Sequence, residues 1–582
     1  MHRERFGCTC HHSISAAPKL VTAIRQWLTF GALGLGSACA DPLPPAAVPH
    51  PTALRAVTQR PKHIRPEEQE FDDLAQRFPG FAGFYRSPAG DLILLTTRGS
   101  EKPALQAEAA RLSAEKRATF RDTPILGVRV ADAKYSFWTL AEIRDLIFEQ
   151  GLGKIQGLHA LDLDEQANRV QIDVTPEHRE TAPLEVRRLL RDAGLDTTAL
   201  SVVASPRAQV ASAVVARMAA PPIGSTLTSA SDELVGGLLW TAKPRVAMCS
   251  VGSVIDRNGT RGFVTASHCT GTINSLDSAQ AWQPDTLSGS HVATETRDPD
   301  GTMCYYSGND HQWGWFDCRF SNAAFFATTG AMTMQKGLIA RPEYSVSTWG
   351  DSGTRVIDTA KPFFIVTATA GSFGGTGFYL HKVGWRTGWT TGYLTNTCKD
   401  VVTTPAGMGD HVLKCQYLSS NYSNTGDSGG AVFLLDPISG EATLAGAVEG
   451  SFLENMLISP WWRIVDELGG TIDATRGTAL ATPSPSGTVS GYGNPIVSWS
   501  AVSGATRYVV FREWFRTATQ ESGNDEFEQS YGVADTDFSV TSYTGSSIPG
   551  PHTPGYVGYR VVAYSARDVS LSSSVIYFQL AP

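Results

Sequence analysis

The placement of the cysteines constrains this chain more than any other feature. Six of the nine cysteines lie between positions 249 and 415 of the 582 residues, and the stretch from 40 to 248 has none. An even number of cysteines confined to one region is typical of a disulfide-stabilised domain that folds outside the cytoplasm. Several pairings are open, and spacing favours the three neighbouring pairs: Cys249 with Cys269, Cys304 with Cys318, and Cys398 with Cys415.

The start of the chain agrees with export. Residues 1–40 contain a charged segment, an apolar stretch at 27–35 and a run of small residues, which is the order of an export signal. Ala38-Cys39-Ala40 fits a cleavage site, and a lipid anchor on Cys39 is the alternative. We therefore expect a secreted protein in which residues 41–65, rich in Pro and Ala, form a linker.

Composition divides the remainder into three folded parts. Residues 66–206 alternate helix-like and strand-like stretches, which predicts a small α+β region, and 207–233 are expected to be a linker. Short strand-like runs rich in Gly, Thr, Val and Trp fill 234–470 and are typical of an all-β domain. A second linker at 471–486 precedes strand-like runs over 487–582 that predict a β-sandwich.

Local patterns predict individual elements within the α+β region. We expect a helix near 103–116, and a second helix announced by capping-box spacing at Thr139–Glu142. Alternating apolar residues predict a β-hairpin over 161–174. Pro183 opens a further helix, and a strand follows at 200–204.

Charge excludes one class of partner. The net charge is −8, and no segment concentrates Lys and Arg, so we expect no nucleic-acid binding. The run Cys8-x-Cys10-His11-His12 precedes the export signal, so we expect no metal site there. No cofactor is expected.

Two motifs in the all-β region carry chemistry. The first is Phe263-Val264-Thr265-Ala266-Ser267-His268-Cys269, and the second is Gly426-Asp427-Ser428-Gly429-Gly430. A serine hydroxyl becomes a useful nucleophile when a histidine takes its proton. Glycines beside Ser428 permit a sharp turn, in which the N–H groups of Gly426 and Ser428 point at one oxyanion. His268 and Ser428 are therefore the candidate base and nucleophile.

These motifs resemble those of the trypsin/chymotrypsin-like serine peptidases, in particular secreted bacterial members. The resemblance covers about residues 234–468 and extends to Lys382–Gly392 and Leu444–Gly450. It implies two β-barrels of chymotrypsin type, with His268 in the first, Ser428 in the second and the site between them. Membership would make the chain a serine-type endopeptidase acting on a protein or peptide substrate.

The third member of the site departs from the family pattern. That family places an Asp between the His and the Ser, where it holds the imidazole tautomer. Here the best match is Ser321-Asn322-Ala323-Ala324, with Asn322 in place of the Asp, and Asp310 and Asp317 are the alternatives. An uncharged residue in this place predicts a slow enzyme, an enzyme whose geometry is rescued in another way, or a non-catalytic homologue that binds extracellular protein or polysaccharide.

The flanking parts also resemble known modules. Residues 66–206 look like the pro-segments of bacterial family members, which implies a zymogen whose own pro-segment inhibits it and is released by processing within 207–233. The alternative is a stable accessory domain that is never removed. The motif Ser498-Trp499-Ser500, with later Tyr-rich strands, resembles a fibronectin type III domain. Such modules act as spacers or contact surfaces and polymers.

Overall fold

The computed structural model describes residues 60–61, 64–119, 125–208, 213–214, 225–244, 247–304, 316–403, 411–436, 439–490, 494–515, 527–537, 541–544 and 556–579. The predicted export signal with Cys39, most of the 41–65 linker, about half of the 207–233 linker and Asp310 lie outside these residues. Strands far outnumber helices in the described part, and no helix in it is long and apolar enough to cross a membrane.

Helices and strands alternate in the N-terminal part because its apolar residues switch between helical and alternating spacing. The elements are α1 (Gln69–Arg77), β1 (Phe81–Arg86), β2 (Asp91–Thr96), α2 (Lys102–Thr119), β3 (Gly127–Asp132), α3 (Phe137–Gln150), β4 (Leu158–Asp164), β5 (Arg169–Val174), α4 (Ala182–Asp192) and β6 (Leu200–Ala204). Strands β1, β2 and β3 form one small sheet, and β4, β5 and β6 lie side by side in another. The predicted hairpin, helices and last strand are all present.

The helix expected from the capping box begins earlier than predicted. Helix α3 starts at Phe137, and the Ser136 hydroxyl accepts the Thr139 backbone N–H at 3.3 Å. Thr139 therefore lies inside the first turn and does not cap it. Ser136 satisfies one of the backbone donors that a helix start leaves open.

The first large sheet carries the histidine motif. Its part of the chain contains β7 (Ala213–Val214), β8 (Glu233–Gly236), β9 (Leu239–Lys243), β10 (Ala247–Ser250), β11 (Ser253–Arg257), β12 (Thr260–Ala266), β13 (Gln280–Gln283), β14 (Ser290–Arg297), β15 (Thr302–Cys304), β16 (Phe316–Arg319) and β17 (Ala323–Thr328). Described strands pair in the order β11–β12–β17–β14–β13–β9–β10–β7. Phe263 and Phe326 stack at 5.3 Å between ring centroids in its core, against Trp240. Strand β12 pairs with a strand on each side, β11 and β17, and its last residues are buried.

The second large sheet carries the serine motif. It is built mainly from β18 (Thr333–Ala340), β19 (Phe363–Thr369), β20 (Tyr379–Gly384), β21 (Gly388–Thr403), β22 (His411–Ser419), β23 (Ala431–Leu435), β24 (Glu441–Phe452) and β25 (Asn455–Pro460), and α5 (Trp461–Leu468) follows. Its described order runs β15–β16–β22–β25–β24–β23–β20–β21 and continues into β4–β5–β6. Asp400 pairs with Leu161 at the join. The N-terminal region is therefore hydrogen-bonded into the same sheet as the serine motif.

The C-terminal part forms two small facing sheets. After β26 (Ile472–Asp473) come β27 (Thr478–Leu480), β28 (Pro485–Val489), β29 (Pro495–Trp499), β30 (Arg507–Phe515), β31 (Phe527–Asp537), β32 (Ser542–Thr544), β33 (Tyr556–Tyr564), β34 (Val569–Ser570) and β35 (Ile576–Gln579). Trp499 and Tyr508 lie in the core between the sheets. The opposite face of β30 and β33, with Phe511 and Val562, packs into the core of the large sheets.

The stretch predicted as the second linker is structured. Strand β26 pairs with β11 of the first large sheet, and β27 pairs with β34 of the C-terminal part. Arg476 also donates to Asp568 at 3.0 Å and to Gln335 at 3.0 Å. These contacts tie the C-terminal sheets to the large sheets, which a Pro- and Ser-rich composition does not reveal.

Candidate active site

His268 sits in a tight turn directly after β12. Residues Ser267–Cys269 form one 3-10 turn, and the imidazole is 1 % exposed. Cys269 is bonded to Cys249 at the end of β10, so a covalent link holds the turn from its far side. A buried strand end, a short turn and a disulfide together give His268 little freedom to move.

The turn that carries Ser428 is built around the buried carboxylate of Asp427. That carboxylate accepts the Thr387 hydroxyl at 2.6 Å, the Arg386 backbone N–H at 3.0 Å and the Lys382 ammonium at 3.2 Å. Lys382 and Asp427 are both fully buried, and burial lowers the pKa of Lys382 while Asp427 opposes that effect. A paired charge in the interior thus anchors the serine turn to β20 and to the turn between β20 and β21.

Glycine is required beside Ser428 because the turn presses on its neighbours. Gly429 has φ +81°, and a Cβ there would lie 2.6 Å from the Ser250 carbonyl oxygen and 2.9 Å from the Ala266 nitrogen, and would also meet Thr265 Oγ1. Thr265 and Ala266 are the last residues of β12, directly before the His268 turn. The serine turn therefore packs against the strand that delivers the histidine.

A second connection joins the two turns through Ser250. Its backbone N–H donates to the Ser428 carbonyl at 2.9 Å, and its hydroxyl donates to the Gly426 carbonyl at 3.1 Å. Ser250 follows Cys249, which is bonded to Cys269 beside His268. Residues predicted as nucleophile, base and oxyanion donor thus belong to two turns held together by backbone hydrogen bonds and a disulfide.

Asn322 contacts His268 directly. Its side-chain nitrogen lies 3.0 Å from His268 Nδ1, its Oδ1 accepts the His268 backbone N–H at 3.1 Å, and its carbonyl accepts the Ser267 N–H at 2.8 Å. The Asn322 N–H in turn donates to the Ser459 hydroxyl at 3.0 Å. Because the strand pair β12–β17 joins Ala266 to Ala323, Asn322 and His268 are neighbours across the end of that pair.

The two alternative acids are not found beside His268 in the described residues. Asp310 lies outside them. Asp317 accepts the Asn274 side-chain N–H at 2.7 Å and lies 3.5 Å from His411 Nδ1, so its carboxylate belongs to a different cluster.

A carboxylate that the sequence did not place at the imidazole lies next to it. Glu449 on β24 is 0 % exposed, and its Oε2 is 3.9 Å from His268 Nδ1. Burial raises the pKa of Glu449 well above its ordinary value, and the nearby Ser459 hydroxyl and Arg319 oppose that rise. Glu449 belongs to the segment Leu444–Gly450 that carries the family resemblance, but neither motif assigns it to the imidazole. The available signal was an acid that follows the apolar run Leu444–Val448 of a central strand.

Further charges lie behind the histidine turn. The Ser267 hydroxyl donates to Asp298 at 2.6 Å, and Arg319 donates to the same carboxylate at 2.8 Å. Arg319 also lies 3.3 Å from Glu467 at the end of α5. Arg319 is therefore paired with the carboxylates of Asp298 and Glu467.

The disulfides follow the neighbour scheme where the structure describes them. Cys249–Cys269 and Cys398–Cys415 are both bonded. Cys318 is also in a disulfide, while the side chain of its predicted partner, Cys304, lies outside the described part.

One group of potential metal ligands is excluded by its own chemistry. Glu67, Cys398 and Cys415 lie close together, but the two cysteines are bonded to each other and offer no thiolate. No other such group occurs in the part of the chain that the structure describes.

Solved structures similar to this chain have low structural overlap with it. Cellulomonas bogoriensis chymotrypsin is 19 % identical at a TM-score of 0.27, with 42 % of this chain and 100 % of that chain covered. Thermobifida fusca protease A is 16 % identical at 0.25, with 42 % and 100 % covered. An Fn3-like protein from Clostridium thermocellum is 24 % identical at 0.13, with 18 % and 97 % covered. No family model and no curated protein matches the chain by sequence. At TM-scores this low, the likeness does not show what this chain does.

Proposed function

We propose that the chain is a secreted serine endopeptidase that cleaves peptide bonds through an acyl-enzyme on Ser428. The observation that carries this proposal is the packing of the Ser428 turn on the end of β12, directly before buried His268. A solvated surface serine needs neither a buried ion pair beneath its turn nor a disulfide behind the neighbouring histidine. A nucleophile that must meet its base with fixed geometry is held in place by both.

The proposed reaction uses groups of this chain only. Ser428 Oγ attacks the scissile carbonyl carbon while His268 Nε2 takes the hydroxyl proton. The N–H groups of Gly426 and Ser428 stabilise the oxyanion, at about 2.7–4 kcal/mol per donor. The tetrahedral intermediate expels the amine, which receives the proton from His268. A water molecule then attacks the acyl-enzyme carbonyl while His268 takes its proton. Collapse of this second intermediate returns the proton to Ser428 and releases the carboxylic acid.

The N-terminal region is proposed to act as an inhibitory pro-segment. Its support is the continuation of the serine-bearing sheet into β4, together with two buried ion pairs, Arg65 with Asp400 at 2.7 Å and Glu67 with Arg463 at 2.5 Å. We further propose that the C-terminal sheets contact an extracellular surface or polymer. The disulfides suit an oxidising compartment, in agreement with export.

A labelling experiment tests the central proposal. The protein, exported into an oxidising compartment and purified after cleavage within 207–233, is treated with a fluorophosphonate probe, which reacts with activated serines. We expect one covalent label on Ser428, absent in S428A and strongly reduced in H268A. The variant S288A, at an exposed serine, is the control and is expected to label like the parent protein.

The competing candidate is a slow or non-catalytic homologue, and the Asn322 amide at His268 Nδ1 favours it. Its signature is different. Neither labelling nor peptide hydrolysis would be seen, and S428A would bind extracellular protein or polysaccharide as well as the parent chain.

A further inference from the structure

We propose that Glu449 is the positioning residue for His268, supplying from β24 the orienting carboxylate that Asn322 does not provide. This inference rests on the proposed peptidase function. It concerns how the general base is held in the correct tautomer.

Asn322 is unsuited to that task because its amide orientation is determined by the backbone. The His268 backbone N–H is a donor, so the oxygen of Asn322 must face it, at 3.1 Å. The amide nitrogen is left for His268 Nδ1 at 3.0 Å, and it also donates. In that arrangement Nδ1 accepts, the neutral ring carries its proton on Nε2, and Nε2 cannot take the proton of Ser428.

Glu449 is the group whose position is otherwise unexplained. It is wholly buried, and neither carboxylate oxygen has a hydrogen-bond partner among the described residues. His268 Nδ1 lies 3.9 Å from Oε2. Ser459 donates its own proton to Gln416 at 3.0 Å. A buried carboxyl without hydrogen-bond partners destabilises the folded state, and a role at the imidazole explains why such a group is present.

The proton balance of the pair defines the working state. His268 lies beside Glu449, and the groups that act on its charge are Ser459, Arg319, Glu467 and Asp298. With Glu449 ionised and the imidazole proton on Nδ1, the ring has to turn from the Asn322 amide nitrogen towards Glu449, and a closure of about 1 Å then makes an Nδ1–H···Oε2 hydrogen bond of ordinary length. Nε2 is then free to accept the Ser428 proton, and the resulting imidazolium is paired with the Glu449 carboxylate. When the amine leaves, Nε2 returns that proton and the pair recovers its original charge.

This arrangement predicts a distinctive pH dependence. Burial raises the pKa of Glu449, so the ionised pair forms at higher pH than it would with a solvated acid. We expect the acid limb of kcat/KM to report the joint titration of Glu449 and His268. Moving the charge to position 322 should shift that limb to lower pH.

Three variants test the proposal by charge relocation. E449Q is expected to lower kcat by about a thousand- to ten-thousand-fold with little change in KM, as expected for loss of the orienting charge. The double variant N322D/E449S restores the charge from the β17 side and is expected to recover most of the lost rate. E295Q, at another buried acid, which accepts the backbone N–H groups of 277 and 279, is the matched control and should keep the parent rate.

A spectroscopic readout separates this inference from the proposed function. ¹⁵N NMR of the His268 ring reports which nitrogen carries the proton, whether or not the protein cleaves peptides. Loss of the Nδ1-protonated form in E449Q, and its return in N322D/E449S, supports the positioning role even in an inactive chain. The inference is overturned if E449Q keeps the parent tautomer and titration, or if its activity stays within tenfold of the parent. Absence of Ser428 labelling in the parent protein would instead refute the proposed function.

Discussion

Replacement of Gly429 by alanine examines how closely the serine turn meets the histidine strand. The added Cβ would lie 2.6 Å from the Ser250 oxygen and 2.9 Å from the Ala266 nitrogen. Thr265 Oγ1, the third neighbour, already donates to that same oxygen at 3.0 Å and accepts Trp240 Nε1 at 3.2 Å, so it cannot easily turn away. The methyl group therefore has to push the serine turn off β12.

The expected loss of unfolding free energy in G429A is the sum of two separate contributions. An alanine at φ +81° pays about 1–2 kcal/mol for the left-handed backbone. Overpacking against a rigid neighbour adds about 1–3 kcal/mol. We therefore expect G429A to lose about 2–5 kcal/mol of unfolding free energy and to label with the fluorophosphonate far more slowly.

Gly259 offers a matched control in the same sheet. It has φ +79° in the turn between β11 and β12, and nothing lies within 4 Å of an added Cβ. G259A should therefore pay only the backbone cost of about 1–2 kcal/mol and keep the parent labelling rate. Urea unfolding and labelling kinetics of both variants measure the difference. Equal losses in the two variants, with labelling unchanged in G429A, would refute close packing between the serine turn and β12.

Three further predictions concern the support around the site. K382M leaves the Asp427 charge buried without its cation, so we expect a loss of about 3–5 kcal/mol in denaturant unfolding, with a smaller loss in K382M/D427N; equal losses would contradict a buried ion pair. Replacing Cys249 and Cys269 together by alanine opens a link with a sequence separation of 20, which predicts a loss of about 3 kcal/mol and slower labelling of Ser428; unchanged labelling would argue against a role in holding the histidine turn. Burial raises the pKa of Glu295 to about 8, so the folded state holds a proton that the unfolded state releases near its ordinary pKa of 4.5. Unfolding free energy should therefore fall as pH rises between these values, and E295Q should flatten that slope in melting experiments across the range.

Local signals predicted much of the N-terminal region. Helix α4 begins one residue before Pro183, and β6 spans the predicted strand at 200–204. Both depend on residues adjacent in the chain, namely a proline compatible with a first helical turn and a short β-branched run. The start of α3 was misplaced by a few residues because Ser136 and Thr139 both precede apolar residues at suitable spacing, and only the formed helix shows which one caps it.

Contacts between distant residues were beyond the sequence. The pairing of Asp400 with Leu161 joins positions on different domains of the predicted organisation. Phe511 and Val562 pack on the large sheets, so the C-terminal part has a second buried face. The alternation of residues along its strands does not show which surface covers that face. Such contacts depend on which surfaces meet after the strands have formed.

The cysteines and the two motifs were sufficient to locate the candidate site in the sequence. A nucleophile, a base and a tight turn each require particular residue types, and those types can be recognised in the chain itself. Only the tertiary structure decided what stands around the imidazole. Asn322 reaches Nδ1 from the strand that pairs with β12, and Glu449 approaches it from the other large sheet, 127 residues further along the chain. Whether a carboxylate faces a ring is determined by the relative position of two sheets, and no spacing within one strand contains that information.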